Sequence, residues 1–290
     1  MRRDATRKSY VERIERVVAR VAAHVDGRRD GDLTLDELAG IACLSRWHFH
    51  RIYRAMMQET VAGTVSRLRL ARAAADLRES ALPVPVVARR AGFGSAAAFT
   101  RAFRARFGVT PAAYRRAGSV AEPPRALVPN ASEDLDMLDV TVARYQPLRC
   151  AAVRHRGPYG EIGRAFDRLL AWAGARGLIG PATRCLAIGY DDPGSVPPED
   201  LRSAACLVVG PGVAPEGEVE ILTVAGGLHA VHVHHGPYED LGTAYRRLYG
   251  EWLPSSGHQA ADEPPFEEYL NDPRRTAPQD LLTAIHIPLA

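Results

Sequence analysis

HRGPYGEIGRAFDRL, residues 155–169, returns as HHGPYEDLGTAYRRL, residues 234–248. Stacked arrays repeat every 20 to 50 residues or so, and a separation of about 79 is too long for them. It fits one domain made of two similar halves. Around the first copy, LDVTVARY and CAAVRHRG read as strands, GEIGRAFDRLLAWA as a helix, and CLAIGYDD and AACLVVG as two more strands. Around the second copy the order recurs: EVEILTV, LHAVHVHHG, the helix EDLGTAYRRLYGEWL, then FEEYLND and LLTAIHIPL. Each half is therefore β-β-α-β-β. Gly-Pro-Tyr has a local task in both copies: glycine permits the turn out of the strand, proline suits a helix start, and tyrosine seats the helix on the sheet.

The chain has 290 residues, enough for two domains that each bury a core. No apolar run approaches the roughly 20 residues needed to cross a bilayer, and no apolar segment follows the basic N-terminus MRRDATRKSY. A soluble cytoplasmic protein with no membrane partner is expected. Cys43, Cys150, Cys185 and Cys206 stand far apart, and read as reduced side chains rather than a disulfide framework. The net charge of +3 conceals an asymmetry. Residues 1–118 hold about 23 Lys and Arg against about 11 Asp and Glu, and the remainder about 14 against about 23. A basic module precedes an acidic one.

In the basic part, Ser9-Tyr-Val-Glu12 fits a capping box, followed by Tyr10, Ile14, Val17, Val18, Val21 and Val25 at helical spacing. Thr34-Leu-Asp-Glu37 is a second capping box and opens the short helix LDELAGIA. After a tight turn, Ser45 is placed to cap RWHFHRIYRAM, a helix with Phe49, Ile52 and Met56 on one side and basic or aromatic residues on the others. This is a helix-turn-helix pattern. It recurs as VPVVARRA, the turn Gly92-Phe-Gly94, the cap Ser95 and AAAFTRAFRARFG, whose Phe99, Phe103 and Phe107 suit a core. Between the units TVSRLRLARAAADLRES reads as a linking helix with an apolar face of Val65, Leu68, Ala71, Ala75 and Leu77.

SRWHFHRIYR and ARRAGFGSAAAFTRAFRARFGVTPAAYR resemble the two recognition units of the AraC/XylS family of transcription regulators, over about residues 9–117. The resemblance implies that each recognition helix enters a segment of the major groove of double-stranded DNA, about one helical turn apart. By position, Ser45, Arg46, Trp47, His50, Arg51 and Arg54 would contact DNA from the first unit, and Ser95, Thr100, Arg101 and Arg104 from the second. Trp47 also suits a core. Ala96, Ala97 and Ala98 depart from the polar residues common at the start of the second recognition helix, and alanine makes no hydrogen bond to a base edge. The second unit is thus expected to position more than it specifies, with Arg101 and Arg104 on phosphates.

AGSVAEPPRALVPNASEDLD, where the charge changes sign, has the composition of a linker. The expected domains are a DNA-binding domain at 1–118, a linker at 119–134 and a second domain at 135–290. The second domain resembles the GyrI-like family, on the doubled H-x-G-P-Y, GYDDP, LYGEWLPSSG and FEEYLNDPRRTAPQDLLTAIHIPL. The resemblance implies two halves packed about a pseudo-twofold axis, with a groove between their helices that takes apolar, often cationic aromatic, effectors. The expected fold class is two domains: an all-α N-terminal domain with two helix-turn-helix units, then an α+β domain of two β-β-α-β-β repeats.

A cationic ring system requires flat π faces and a negative charge in an apolar setting. Strand alternation in FEEY places Glu267 and Tyr269 on one face and Phe266 and Glu268 on the other. Glu267 matches the family's carboxylate position and is the expected counter-charge. Tyr159, Tyr238, Trp172 and Trp252 are candidate walls, and the tryptophans equally suit the core. His232 and His234 share a strand face without a third ligand at a fixed offset, so neither metal nor cofactor is expected. No G-x-S-x-G, P-loop or H-E-x-x-H occurs. These features describe an effector-binding transcription regulator rather than an enzyme, with RNA polymerase as a further candidate partner. Two alternatives stay open: hydrolysis or sequestration of a drug-like compound, and a second domain that serves only protein interaction.

Overall fold

The computed structural model describes residues 2–27, 33–117 and 138–290. The expected linker, 119–134, lies outside the described residues. Helix α1 (Arg2–Val25) buries Tyr10, Ile14, Val17 and Val21, one stripe at helical spacing. It begins at Arg2, so Ser9 lies inside it and is not a cap. The preceding Arg, Ala and Lys residues have good helix propensity and extend the helix backward. Helix α2 (Leu35–Ala42) is capped by Thr34, whose hydroxyl accepts from the Glu37 amide at 3.2 Å. It ends on Cys43 in the left-handed conformation, φ 50°, which forms the turn into α3 (Arg46–Met57). Ser45 occupies the N-cap position of α3 but makes no side-chain capping bond.

Helix α4 (Val61–Glu79) links the two units. Its buried residues are Thr64, Leu70, Ala73, Ala74 and Leu77; of the stripe read from sequence, Leu77 is buried, Val65, Leu68 and Ala75 are half-buried, and Ala71 is exposed. Alanines around the whole circumference make the face ambiguous, and packing decides it. Val65 and Leu68 lean on the core of the first unit, whereas Leu70, Ala73 and Leu77 belong to that of the second. The second unit comprises α5 (Val84–Arg90), α6 (Ala96–Phe107) and α7 (Pro111–Ala117). Ser95 caps α6 by accepting from the Ala98 amide at 3.1 Å. Phe99 and Phe103 are fully buried, Phe107 stacks on Phe103 at 4.3 Å between ring centres, and Tyr114 meets Phe103 edge-on.

The C-terminal region is an eight-stranded, wholly antiparallel sheet carrying helices: β1 (Thr141–Tyr145), β2 (Leu148–Arg156), α8 (Gly163–Gly174), β3 (Cys185–Gly189), β4 (Arg202–Val208), then β5 (Glu220–Val224), β6 (Gly227–His235), α9 (Leu241–Arg247), a π-helical turn (Leu248–Trp252), α10 (Leu253–Ser256), β7 (Phe266–Tyr269) and β8 (Leu282–Leu289). The spatial order β1-β6-β8-β7-β3-β4-β2-β5 reads the same under exchange of the halves, so a pseudo-twofold axis passes between β3 and β7. The edge strands are exchanged: β1 of the first half pairs with β6 of the second, and β5 with β2.

The doubled motif performs the same task twice. Gly157 and Gly236 both take φ 132°, a conformation open to glycine alone. His155 and His234 each hydrogen-bond through Nε2 to the carbonyl of the following proline, Pro158 at 3.1 Å and Pro237 at 3.2 Å. His232 hydrogen-bonds the Asp139 carbonyl.

The hydrophobic core ignores the change of charge along the chain. Tyr10, Phe49, Ile52 and Met56 of the first helix-turn-helix unit form one cluster with Leu241, Leu248, Tyr249, Leu253, Ile285 and Ile287 of the second domain. Gly250 permits the approach, since a Cβ there would stand 3.0 Å from Ala55 Cβ. His48, fully buried, hydrogen-bonds the Tyr249 hydroxyl at 2.6 Å. The second unit keeps a separate core.

Candidate functional site

A cavity of about 1060 Å³ lies between α8 and α9, floored by the central strands. Repeat symmetry builds its walls. Tyr159 and Tyr238 follow the two Gly-Pro turns, and Phe166 and Tyr245 occupy matching positions in the two helices; all four line it. Tyr269 from β7 packs against Tyr238 at 5.3 Å and edge-on to Phe166 at 5.6 Å. Across the axis, β3 and β7 pair Ala187 with Glu267, so the symmetric floor carries a single carboxylate opposite a methyl group.

Glu267 is exposed only in part, and it lines the cavity. Burial pushes its pKa up, against hydrogen bonds from the Tyr245 and Tyr269 hydroxyls and the field of Arg51. The Tyr269 bond measures 3.4 Å. Glu268 points to the other face, where it takes a bidentate ion pair from Arg184 at 2.7 and 2.8 Å. The alternation in FEEY therefore separates a cavity carboxylate from a structural one. Trp172 and Trp252 do not line the cavity. Trp172, on α8, leans on the core between that helix and the sheet with the Arg176 guanidinium over its ring, and Trp252 flanks the shared core and stacks on His258.

The positions that the sequence places toward DNA fall into two groups. On α6, Ser95, Arg101 and Arg104 are exposed, and Thr100 is half-buried. On α3, Arg46 is exposed, with its guanidinium over the Trp47 ring at 4.1 Å, and His50 is half-buried. Trp47, Arg51 and Arg54 instead turn toward the loop after β3. Trp47 packs on Tyr190 with ring centres 5.8 Å apart. Arg51 is buried and donates to the carbonyls of Gly189 at 3.1 Å and Asp191 at 2.5 Å. Arg54 pairs with the buried Asp192 at 2.8 Å. Arg51, which the sequence places toward DNA, lies at a domain contact in this structure, because its guanidinium finds two carbonyls, and aromatic Tyr245 at 5.9 Å, in the cavity wall.

Arg51, Arg54, Tyr245 and Phe166 are thus cavity residues that the sequence reading does not place in the cavity. The two aromatics had a signal, since they align with each other in the doubled stretch. The arginines had none, because their positions matched a DNA-contact pattern. Tyr159 couples the cavity to the loop. Its hydroxyl donates to the Asp191 carbonyl at 2.9 Å and accepts from the Asp191 amide at 3.0 Å, and burial pushes its pKa up to about 12. The arrangement can take up an aromatic cation: π faces on several sides, the Glu267 carboxylate on the floor, and apolar surface between them.

Residues 38–117 match the helix-turn-helix domain family, and residues 139–290, more than half of the chain, match the GyrI-like small molecule binding domain. The chain is 37% identical over 134 residues to a DNA gyrase inhibitor of Edwardsiella piscicida, covering 44% of this chain and 83% of that one. It is 36% identical over 92 residues to the right origin-binding protein of Escherichia coli strain K12, covering 32% of each. Among solved structures it is similar to the EcmrR C-terminal domain, with a TM-score of 0.44 and 16% identity over 53% of this chain and 99% of that one. No described helix is long and apolar enough to cross a membrane.

Proposed function

We propose, for a chain that belongs to the GyrI-like small-molecule-binding family and carries an AraC-type helix-turn-helix domain ahead of it, that its effector is a cationic aromatic compound held against Glu267. The protein is an effector-binding transcription regulator: the helical domain binds DNA and the second domain binds a small molecule. The observation that carries the ligand class is the Glu267 carboxylate on the floor, paired across the axis with Ala187 and ringed by Tyr159, Tyr238, Tyr245, Phe166 and Tyr269. A cation placed in an apolar cavity loses hydration, and a carboxylate with aromatic faces offsets that loss.

DNA contacts are assigned to Arg46, Trp47, His50 and Arg51 on the first recognition helix, which carries the sequence reading, and to Ser95, Thr100 and Arg101 on the second, with Arg101 on phosphate. Binding, not hydrolysis, is the proposed chemistry. Cys185, the thiol in the cavity wall, has its pKa raised by burial, which keeps it protonated and weakly nucleophilic. Calorimetric titration of the full chain with crystal violet tests the reading. Saturable one-to-one binding with the dye recovered unchanged is the expected result. Steady product formation, or no heat of binding, would overturn it.

A further inference from the structure

The face of α3 assigned to DNA does not stand free. Trp47, Arg51 and Arg54 are spaced by four and three residues, one helical stripe, and all three engage a single loop, Gly189–Gly194. The loop offers what a major groove offers. Two carbonyl oxygens accept from one guanidinium, as the O6 and N7 acceptors of guanine do. A carboxylate takes the second arginine as a phosphate would. Tyr190 gives Trp47 an aromatic face, and Gly194 leaves room for Arg54, because a Cβ there would fall 1.6 Å from its Nη1.

The second repeat supplies an internal control. GYDDPG, residues 189–194, aligns with YLNDPR, residues 269–274. The equivalents of Gly189, Tyr190, Asp191 and Gly194 are Tyr269, Leu270, Asn271 and Arg274. Arg274 pairs with Asp167 on α8 instead, and Leu270 remains exposed where Tyr190 is covered by Trp47. Of the side chains that meet α3, Tyr190 and Gly194 differ between the repeats, whereas Asp192, which takes Arg54, is kept as Asp272. Fold maintenance alone does not demand this, since both loops make the same turn into a short 3-10 segment, Pro198–Asp200 and Pro278–Asp280.

We infer that the Gly189–Gly194 loop is a docking site for the DNA-reading stripe of α3, an internal stand-in for the major groove, so that the chain's own effector domain masks its first helix-turn-helix unit. The inference rests on the reading of α3 as a DNA-contact helix. DNA and loop then compete for the same side chains, and the apparent DNA affinity is reduced by the fraction of molecules in which α3 is undocked. Arg51 and Arg54 also wall the cavity, so effector site and DNA site share two residues.

The test uses the full chain and a fluorescein-labelled duplex of mixed sequence, read by anisotropy at fixed salt. Tyr190→Leu/Gly194→Val takes the seat from Trp47 and pushes Arg54 away without altering α3 or the net charge, so a gain in affinity is not bulk electrostatics. At least fivefold tighter binding is expected. Unchanged or weaker binding by a variant whose unfolding midpoint stays near that of the wild type would overturn the inference. Should the variant not fold, amide hydrogen exchange across residues 189–195 of the wild type decides. Faster exchange on adding duplex is expected, and unchanged or slower exchange overturns the masking. His50→Ala separates the two readings. If it weakens DNA binding of the wild type while the loop variant shows no gain, only the masking fails. If it has no effect even in the loop variant, α3 is not a DNA-contact helix.

Discussion

Replacing Glu267 by Gln keeps the shape of the cavity floor and removes its one charge. The amide still accepts from the hydroxyls of Tyr245 and Tyr269, so the floor should hold its packing. For a ligand cation about 5 Å from the carboxylate, Coulomb's law at an effective dielectric of about 20 gives roughly 3 kcal/mol of attraction. Part of the carboxylate's field is already taken up by Arg51, which favours its ionised form in the empty cavity. The expected loss is therefore about 1.5 to 3 kcal/mol, a weakening of roughly ten- to hundredfold. The neutral leuco form of the same dye should bind both proteins about equally. Calorimetric titration of the two dye forms against wild type and Glu267→Gln measures both quantities. Equal losses for both forms would mean that the carboxylate acts through packing, and the charge argument would fail.

Glu268→Gln, on the opposite sheet face and paired with Arg184, should leave dye affinity within about twofold, the change expected of a group that never meets the ligand; sensitivity there would refute the assigned faces. Because Ala96, Ala97 and Ala98 carry no hydrogen-bonding side chain, binding-site selection should return a half-site under α6 that tolerates more base changes than the other. Two equally sharp half-sites would contradict this. Burial, helped by Arg51, holds the His48 pKa down to about 3, against about 6.5 in an unfolded chain. Between those values the unfolded state binds a proton that the native state refuses, so stability should fall as pH drops below about 6.5, by up to about 1.4 kcal/mol per unit. His286, held at about 4 mainly by burial, adds in the same direction. Urea unfolding at pH 7.5 and 5 should show a smaller acid loss for His48→Gln than for the wild type, and equal losses would remove His48 from the account. Phe99→Ala, at a fully buried ring, should cost about 3 to 5 kcal/mol, read as a shift in the denaturant midpoint of the second unit.

Elements with a strong local signature were legible in the sequence. The β-β-α-β-β halves follow from alternation, helical spacing and the doubled Gly-Pro turn, each set by nearby residues. The Glu267 and Glu268 faces follow from strand geometry alone. Where local signals are degenerate the reading failed. Alanines around α4 leave its buried side to be chosen by two cores, and Ser9 resembles a cap although the residues before it continue the helix. Trp172 and Trp252 suit a cavity wall by residue type, yet each points from its own helical segment onto a core away from the cavity.

The docking of α3 was hidden for a different reason. An arginine stripe with a tryptophan suits guanine edges and phosphates, and the same chemistry suits backbone carbonyls and a carboxylate. Residue type cannot tell a DNA-facing surface from a surface that DNA must compete for. What distinguishes them lies 138 residues away, in the asymmetry between GYDDPG and YLNDPR. Ala187 opposite Glu267 obeys the same logic: at one pair on the axis the repeats diverge to put a carboxylate on the cavity floor. In a duplicated fold the matched positions report how the sheet and turns are built. The mismatched positions mark where the halves meet different partners, Glu267 on the cavity floor on one side of the axis and the α3 side chains at the Gly189–Gly194 loop on the other.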